Sequence, residues 1–171
     1  MPNIMPSFHS ATSRLLGIDL RESSAAVSEV ERAERRLGFR LPAAVREWYC
    51  NDASTIILAE HSNQDRPIPL AKFAVKEWKS RRLLPFQIEN QGVCTWSIML
   101  DGSDDPPVYV DVDSNGTEWQ IQAPTFTAYV HACVWDYEMV LGEPALAQAQ
   151  NESLSPEAVN LLVRPQVLIL G

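Results

Sequence analysis

The stretch that decides the fold is Cys94-Thr95-Trp96-Ser97-Ile98-Met99-Leu100. Val108-Tyr109-Val110-Asp111-Val112 and Glu118-Trp119-Gln120-Ile121-Gln122 follow it. Each segment alternates apolar and polar residues at period 2, the pattern of a half-buried strand. Asp101-Gly102-Ser103-Asp104-Asp105-Pro106 turns the first into the second. Ser114-Asn115-Gly116 turns the second into the third, and Asn-Gly suits positive φ. The alternation predicts an antiparallel meander with one apolar and one polar face. Trp96, Ile98, Val108, Val110, Trp119 and Ile121 fall on the expected core face. Thr95, Ser97, Met99, Tyr109, Asp111, Glu118, Gln120 and Gln122 fall on the other.

Downstream, Phe126, Tyr129, Val130, Cys133, Val134, Tyr137, Val140 and Leu141 trace one stripe at helical spacing. Thr125 is placed to cap this helix and Gly142 to end it. Such a stripe needs an apolar partner, and the meander offers one. The expected fold is therefore α+β, an antiparallel β-meander sheet packed on one face by helices. Trp48, Trp96, Trp119, Phe126 and Tyr137 are expected in the core, where each is worth ~1.5–3 kcal/mol.

Upstream, Val30-Glu31-Arg32-Ala33-Glu34-Arg35-Arg36-Leu37-Gly38-Phe39-Arg40-Leu41-Pro42 runs on into Val45, Trp48 and Tyr49. It reads as a helix stopped by a glycine, a short link, and a second helix opened by proline. Ser28 with Glu31 forms one possible capping box, and Ser24 allows an earlier start. Glu34 lies one turn before Gly38, so its carboxylate is placed to satisfy backbone N–H groups where the second helix begins. Thr55–Ala59 reads as a short strand and residues 61–67 as a polar loop. Residues 70–82 carry Leu70, Phe73, Ala74 and Trp78 at helical spacing. Residues 143–153 resemble a linker, Ser155-Pro156-Glu157 starts a short helix, and Gln166–Leu170 suits an edge strand. The organisation is then an N-terminal extension over 1–23, a domain over 24–142 and a C-terminal segment over 143–171.

At 171 residues and 46% apolar content, one packed domain is the natural expectation. No run of 18 apolar residues is present, so no membrane span is expected. Met1–Ser13 has neither a basic segment nor an apolar core, so it does not read as a secretory signal. Cys50, Cys94 and Cys133 are widely spaced in apolar patterns. They suit reduced, buried thiols, and hence a cytoplasmic setting. The net charge of −8 is unevenly distributed. Residues 1–82 hold thirteen cations against ten acids, a net +3. Residues 83–163 hold twelve acids and no Lys or Arg. An acidic face disfavours nucleic acid and suits a basic protein.

The helix pair, together with Leu84-Pro85-Phe86-Gln87-Ile88-Glu89-Asn90-Gln91-Gly92-Val93-Cys94-Thr95-Trp96 and Asp105-Pro106-Pro107-Val108-Tyr109-Val110, resembles the SUKH superfamily over roughly residues 27 to 141. That group contains bacterial immunity proteins and fungal Smi/Knr-type cell-wall-assembly regulators. The chain departs from it at Asn51-Asp52-Ala53-Ser54, where relatives place an asparagine-glycine turn. The resemblance implies a binding protein without an active site. Its partner would be a toxin, often a nuclease or deaminase domain, neutralised by occlusion of its working surface. The fungal relatives imply a regulator or scaffold as the alternative.

Asp111-Val112-Asp113-Ser114-Asn115-Gly116 copies the first six positions of a calcium loop, but its twelfth position is Gln122 rather than glutamate. A hairpin turn explains it, and neither metal nor other cofactor is expected. His9, His61 and His131 are scattered, and His131 falls on the polar side of its helix. Asp101, Asp104, Asp105, Asp111, Asp113 and Glu118 form no pair at a defined distance, so no catalytic residue is assigned. The expected partner site is the meander's polar face. Tyr109 is its anchor, and Asp104, Asp105, Asp111, Asp113 and Glu118 steer a basic partner.

Overall fold

The alternating stretch pairs into an antiparallel sheet in a computed structural model that describes residues 7–51, 53, 54, 57, 65–113 and 115–141, with residues 137–141 in backbone only. Among the described residues there are six strands: β1 (Arg66–Pro67), β2 (Lys76–Trp78), β3 (Arg81–Ile88), β4 (Thr95–Met99), β5 (Val108–Asp111) and β6 (Trp119–Ala123). Their order is β1-β3-β4-β5-β6, and β2 also pairs with β3. Four helices accompany them: α1 (Ser10–Leu16), α2 (Ser24–Leu37), α3 (Ala43–Tyr49) and α4 (Phe126–Leu141). The fold is α+β. Among the described residues no helix is long and apolar enough to cross a membrane.

The helix pair forms for the reasons its sequence supplies. Gly38 closes α2 in the left-handed region at φ 77°, and its N–H donates to the Glu34 carbonyl. The α2 cap is neither Ser24 nor Ser28. Ser23 Oγ accepts the Ala26 N–H at 3.1 Å, while Ser28 Oγ donates to the Ser24 carbonyl. The start moves one residue upstream because Ser23 takes extended backbone there, as an N-cap requires. At α4, Thr125 Oγ1 accepts the Ala128 N–H and Asp105 Oδ1 accepts the Thr127 N–H, each at 3.0 Å.

The core lies between the sheet and the helices. Phe86 meets Phe126 and Tyr129 edge-on, with ring centroids 5.3 Å apart in both cases. Such pairs add ~0.5–1.5 kcal/mol to burial. Trp48, Ile98, Val108, Val130 and Val134 complete this layer. The weakly patterned N-terminal region contributes α1, whose Leu15 joins the same core. His131 is half-buried rather than on an open polar side, because Thr12 Oγ1 of α1 lies 3.3 Å from its Nδ1. Trp135 on α4 is also buried.

Residues 70–82 are not a helix. Only Leu70–Lys72 makes a 3-10 turn, after which the chain extends as β2. The Arg36 guanidinium donates to the Leu70 and Phe73 carbonyls at 2.7 and 2.6 Å, occupying acceptors a helix would use. Pairing with β3 then satisfies Lys76–Trp78. Of the segment 55–59, expected as a strand, only Ile57 is described, and it is helical. The expected linker, helix and edge strand after residue 142 lie outside the described residues, as do Gly142 as a cap and the side chain of Tyr137.

Candidate partner-binding face

Register decides which side chains share the sheet's outer face, the one turned away from the core. Ile98 pairs with Leu84 and Val108, and all three belong to the core. The alternate residues therefore point outward: Ser97 pairs with Tyr109, and Thr95 with Asp111. On β6, Tyr109 pairs with Ile121 and Asp111 with Trp119. Trp119 and Ile121 thus stand on the outer face, the reverse of the expected assignment. Glu118, Gln120 and Gln122 lose their expected place beside Tyr109. The alternation of β6 had shown its period but not its phase. The bulge between Val108 and Tyr109 then brings Ala123 opposite Val108 on the core side.

This face is not an evenly solvated polar surface. Leu83, Pro85, Ser97, Asp111 and Trp119 are buried on it, and Met99 and Tyr109 are half-buried. Leu83 and Trp119 are buried on this face but lie outside the main core cluster. Ile121 is 55% exposed. Trp78, from β2, lies over this face. Its ring is 6.2 Å from that of Tyr109, and its Nε1–H donates to the Thr117 carbonyl at 3.0 Å. Lys79 Nζ and the Arg81 guanidinium sit 4.9 and 5.6 Å from the Trp78 ring centroid.

The expected site residues divide into two groups. Tyr109, Asp111, Asp113 and Glu118 gather at the outer face and the β5–β6 turn. Asp104 and Asp105 precede β5, at its opposite end, next to the helices. The Asp104 carbonyl accepts the Ala44 N–H at 2.8 Å, and the Asp105 carboxylate holds α4. Asp111 is 3% exposed, so its carboxylate is not available for direct contact with a partner. Its Oδ2 accepts the Gly116 N–H at 2.9 Å and its Oδ1 the Asp113 N–H at 3.3 Å. Burial pushes its pKa up, and the neighbouring Asp113 carboxyl adds to this. Asp113 accepts from the Asn115 and Thr117 N–H groups and from the Thr117 hydroxyl, which holds its carboxyl well below the usual range. These carboxylates are therefore committed to the turn, which has the form of a hairpin connection. Among the described residues no group of three or more His, Cys, Asp and Glu is placed to hold a metal ion.

A concave region of about 610 Å³ lies beside α1 and α3 and is lined by Glu22, Arg40, Arg46 and Glu47 among others. Its charges are mostly satisfied internally. Glu47 accepts from Ser7 Oγ and from the Phe8 and His9 N–H groups. Arg46 lies 3.5 Å from Glu34 and 4.0 Å from Glu22. The three thiols are unbridged; Cys50 is buried and Cys94 and Cys133 are half-buried. Burial pushes the Cys133 thiol up to about 12, the direction of an unreactive group.

No family model, curated protein or solved structure matches this chain. The SUKH resemblance therefore rests on the sequence motifs alone.

Nothing in the sequence pattern marks Trp78, Lys79 and Arg81 as parts of this face. The hairpin that carries them turns on Lys79-Ser80, with φ of 46° and 64°. The usual signature of such a turn is Asn-Gly, which would have revealed it.

Proposed function

We propose that this chain is a non-catalytic protein-binding module of the SUKH type, acting as an immunity protein that occludes the working surface of a cognate toxin. The observation that carries the reading is the aromatic and aliphatic strip of Trp78, Tyr109 and Ile121 on the outer face. An exposed isoleucine beside a half-buried tyrosine is a suitable centre for an interface, because large rigid side chains there lose little entropy on docking. The net charge of −8 would draw a basic nuclease or deaminase domain from a distance. Exposed Glu118 and Asp104 would contribute to that attraction. The setting proposed is cytoplasmic, with neither nucleic acid nor membrane as partner.

The test is protection. Cells expressing a toxin domain encoded beside this chain should survive when the chain is co-expressed. Ile121→Asp and Tyr109→Ala should abolish survival while leaving the protein folded, as its circular dichroism spectrum would show. A stable complex without protection would favour the regulator or scaffold role. Turnover of a substrate, lost on replacing one carboxylate, would remove the binding reading.

A further inference from the structure

The β2–β3 hairpin contradicts the charge of the whole chain. Lys76, Lys79 and Arg81 are exposed around Trp78, on a protein of net charge −8. Register puts Lys76 opposite Leu83 and Trp78 opposite Arg81, so these side chains share the outer face. None of the three makes an ion pair among the described residues.

The hairpin is also pre-arranged. Lys79 and Ser80 both occupy the left-handed region, which disfavours residues other than glycine. Trp78 is anchored by its bond to the Thr117 carbonyl. The two cations rest over its ring, which limits their rotamer freedom while leaving N–H groups available. Tyr109 and Ile121 lie beside them as apolar contact area.

We infer that this hairpin and the adjoining strip form a docking surface for an acidic, extended segment of a partner protein. Its carboxylates would meet Lys76, Lys79 and Arg81, and an apolar side chain would lie against Tyr109 and Ile121. The inference rests on the proposal that a protein partner covers this face, and it names the chemistry of the contact. A net-negative partner is not required, since long-range attraction and local contact involve different groups. A nucleic acid fits less well. The Trp78 ring carries its own cations rather than offering a clear stacking platform.

The experiment uses the full chain and a fluorescein-labelled eight-residue peptide of alternating Glu and Leu, read by anisotropy. The Gln–Leu peptide and single-stranded dT10 serve as comparisons. Expected is saturable binding of the Glu–Leu peptide that weakens with salt and falls about tenfold or more in Lys79→Glu/Arg81→Glu. Lys79→Gln/Arg81→Gln, with an unchanged melting curve, should show a smaller loss in the same direction. No binding of the acidic peptide, equal binding of the Gln–Leu peptide or dT10, or binding indifferent to both double variants would overturn the surface. Failure to protect cells from a toxin, with peptide binding intact, would strike the immunity role and leave this inference standing.

Discussion

Glu34 Oε1 accepts the Leu41 N–H at 2.9 Å, joining the last turn of α2 to the link before α3. Arg46 Nε lies 3.5 Å from the same oxygen, with both side chains largely buried. One carboxylate therefore fixes the angle between two helices and balances a partly buried cation. Glu34→Ala should cost ~1–2 kcal/mol, the sum of a lost cap and a weakened ion pair. Glu34→Gln should retain part of this, since an amide oxygen still accepts the Leu41 N–H. Urea melts of the two variants give the ranking. Equal midpoints for wild type and Glu34→Ala would show the bond to be dispensable.

The β2–β3 turn predicts a gain. Ser80 sits at φ 64°. A residue with a Cβ loses ~1 kcal/mol there, against glycine's larger entropy in the unfolded chain. Ser80→Gly should therefore stabilise the protein by ~0.5 kcal/mol. Adding Lys79→Asn should raise this further, as Asn-Gly is the favoured pair. That second change also removes a cation from the proposed docking surface. Greater stability with weaker peptide binding is the expected combination, read from denaturant midpoints and anisotropy on one preparation.

The Asp111–Gly116 turn predicts indifference to calcium. Both carboxylates already accept backbone N–H groups, and the twelfth position is glutamine. Millimolar calcium or a chelator should leave the thermal midpoint where it was. A calorimetric site of micromolar affinity would contradict this.

The sheet and both major helices were legible because burial imposes periods on the sequence, and Thr125, Gly38 and Glu34 announced their roles through capping chemistry. What was illegible is phase and partnership. Trp119 and Ile121 alternate as core residues would, yet the connection after Asp111 sets them on the outer face. Trp78 repeats at helical spacing from Leu70, but Arg36, far back in α2, takes the carbonyls such a helix would need. Asp111 looked like a surface charge and is buried, because its value lies in ordering a turn. Trp78 was hidden by a contact distant in sequence, whereas Trp119, Ile121 and Asp111 depend on the geometry of one short turn, which apolar–polar alternation does not encode.

Acid should weaken the fold through a buried histidine. His9 is 2% exposed, with its ring 4.9 Å from that of Trp48 and 5.9 Å from that of Phe126. Its Nε2 lies 2.9 Å from the Ala44 carbonyl, so the neutral ring carries its proton there and donates it. Burial lowers its pKa below the usual 6.5, outweighing the bond to Ala44 and the nearby Glu47 and Asp105 charges. A histidine whose folded pKa is depressed binds fewer protons folded than unfolded. Stability then rises with pH below about 6.5 and is flat above it. Acidification from pH 7 to 5 should weaken the fold, and His9→Gln should remove part of that slope while keeping a donor to Ala44. Asp65 acts in the opposite sense: burial first, and then Glu89, push it up to about 6. Its effect is a loss of stability as pH rises from about 4 to 6, and Asp65→Asn should remove it. Measuring both single variants across pH 4–8 separates the two. An unchanged pH profile for His9→Gln would show that His9 stays neutral, or titrates alike, in both states.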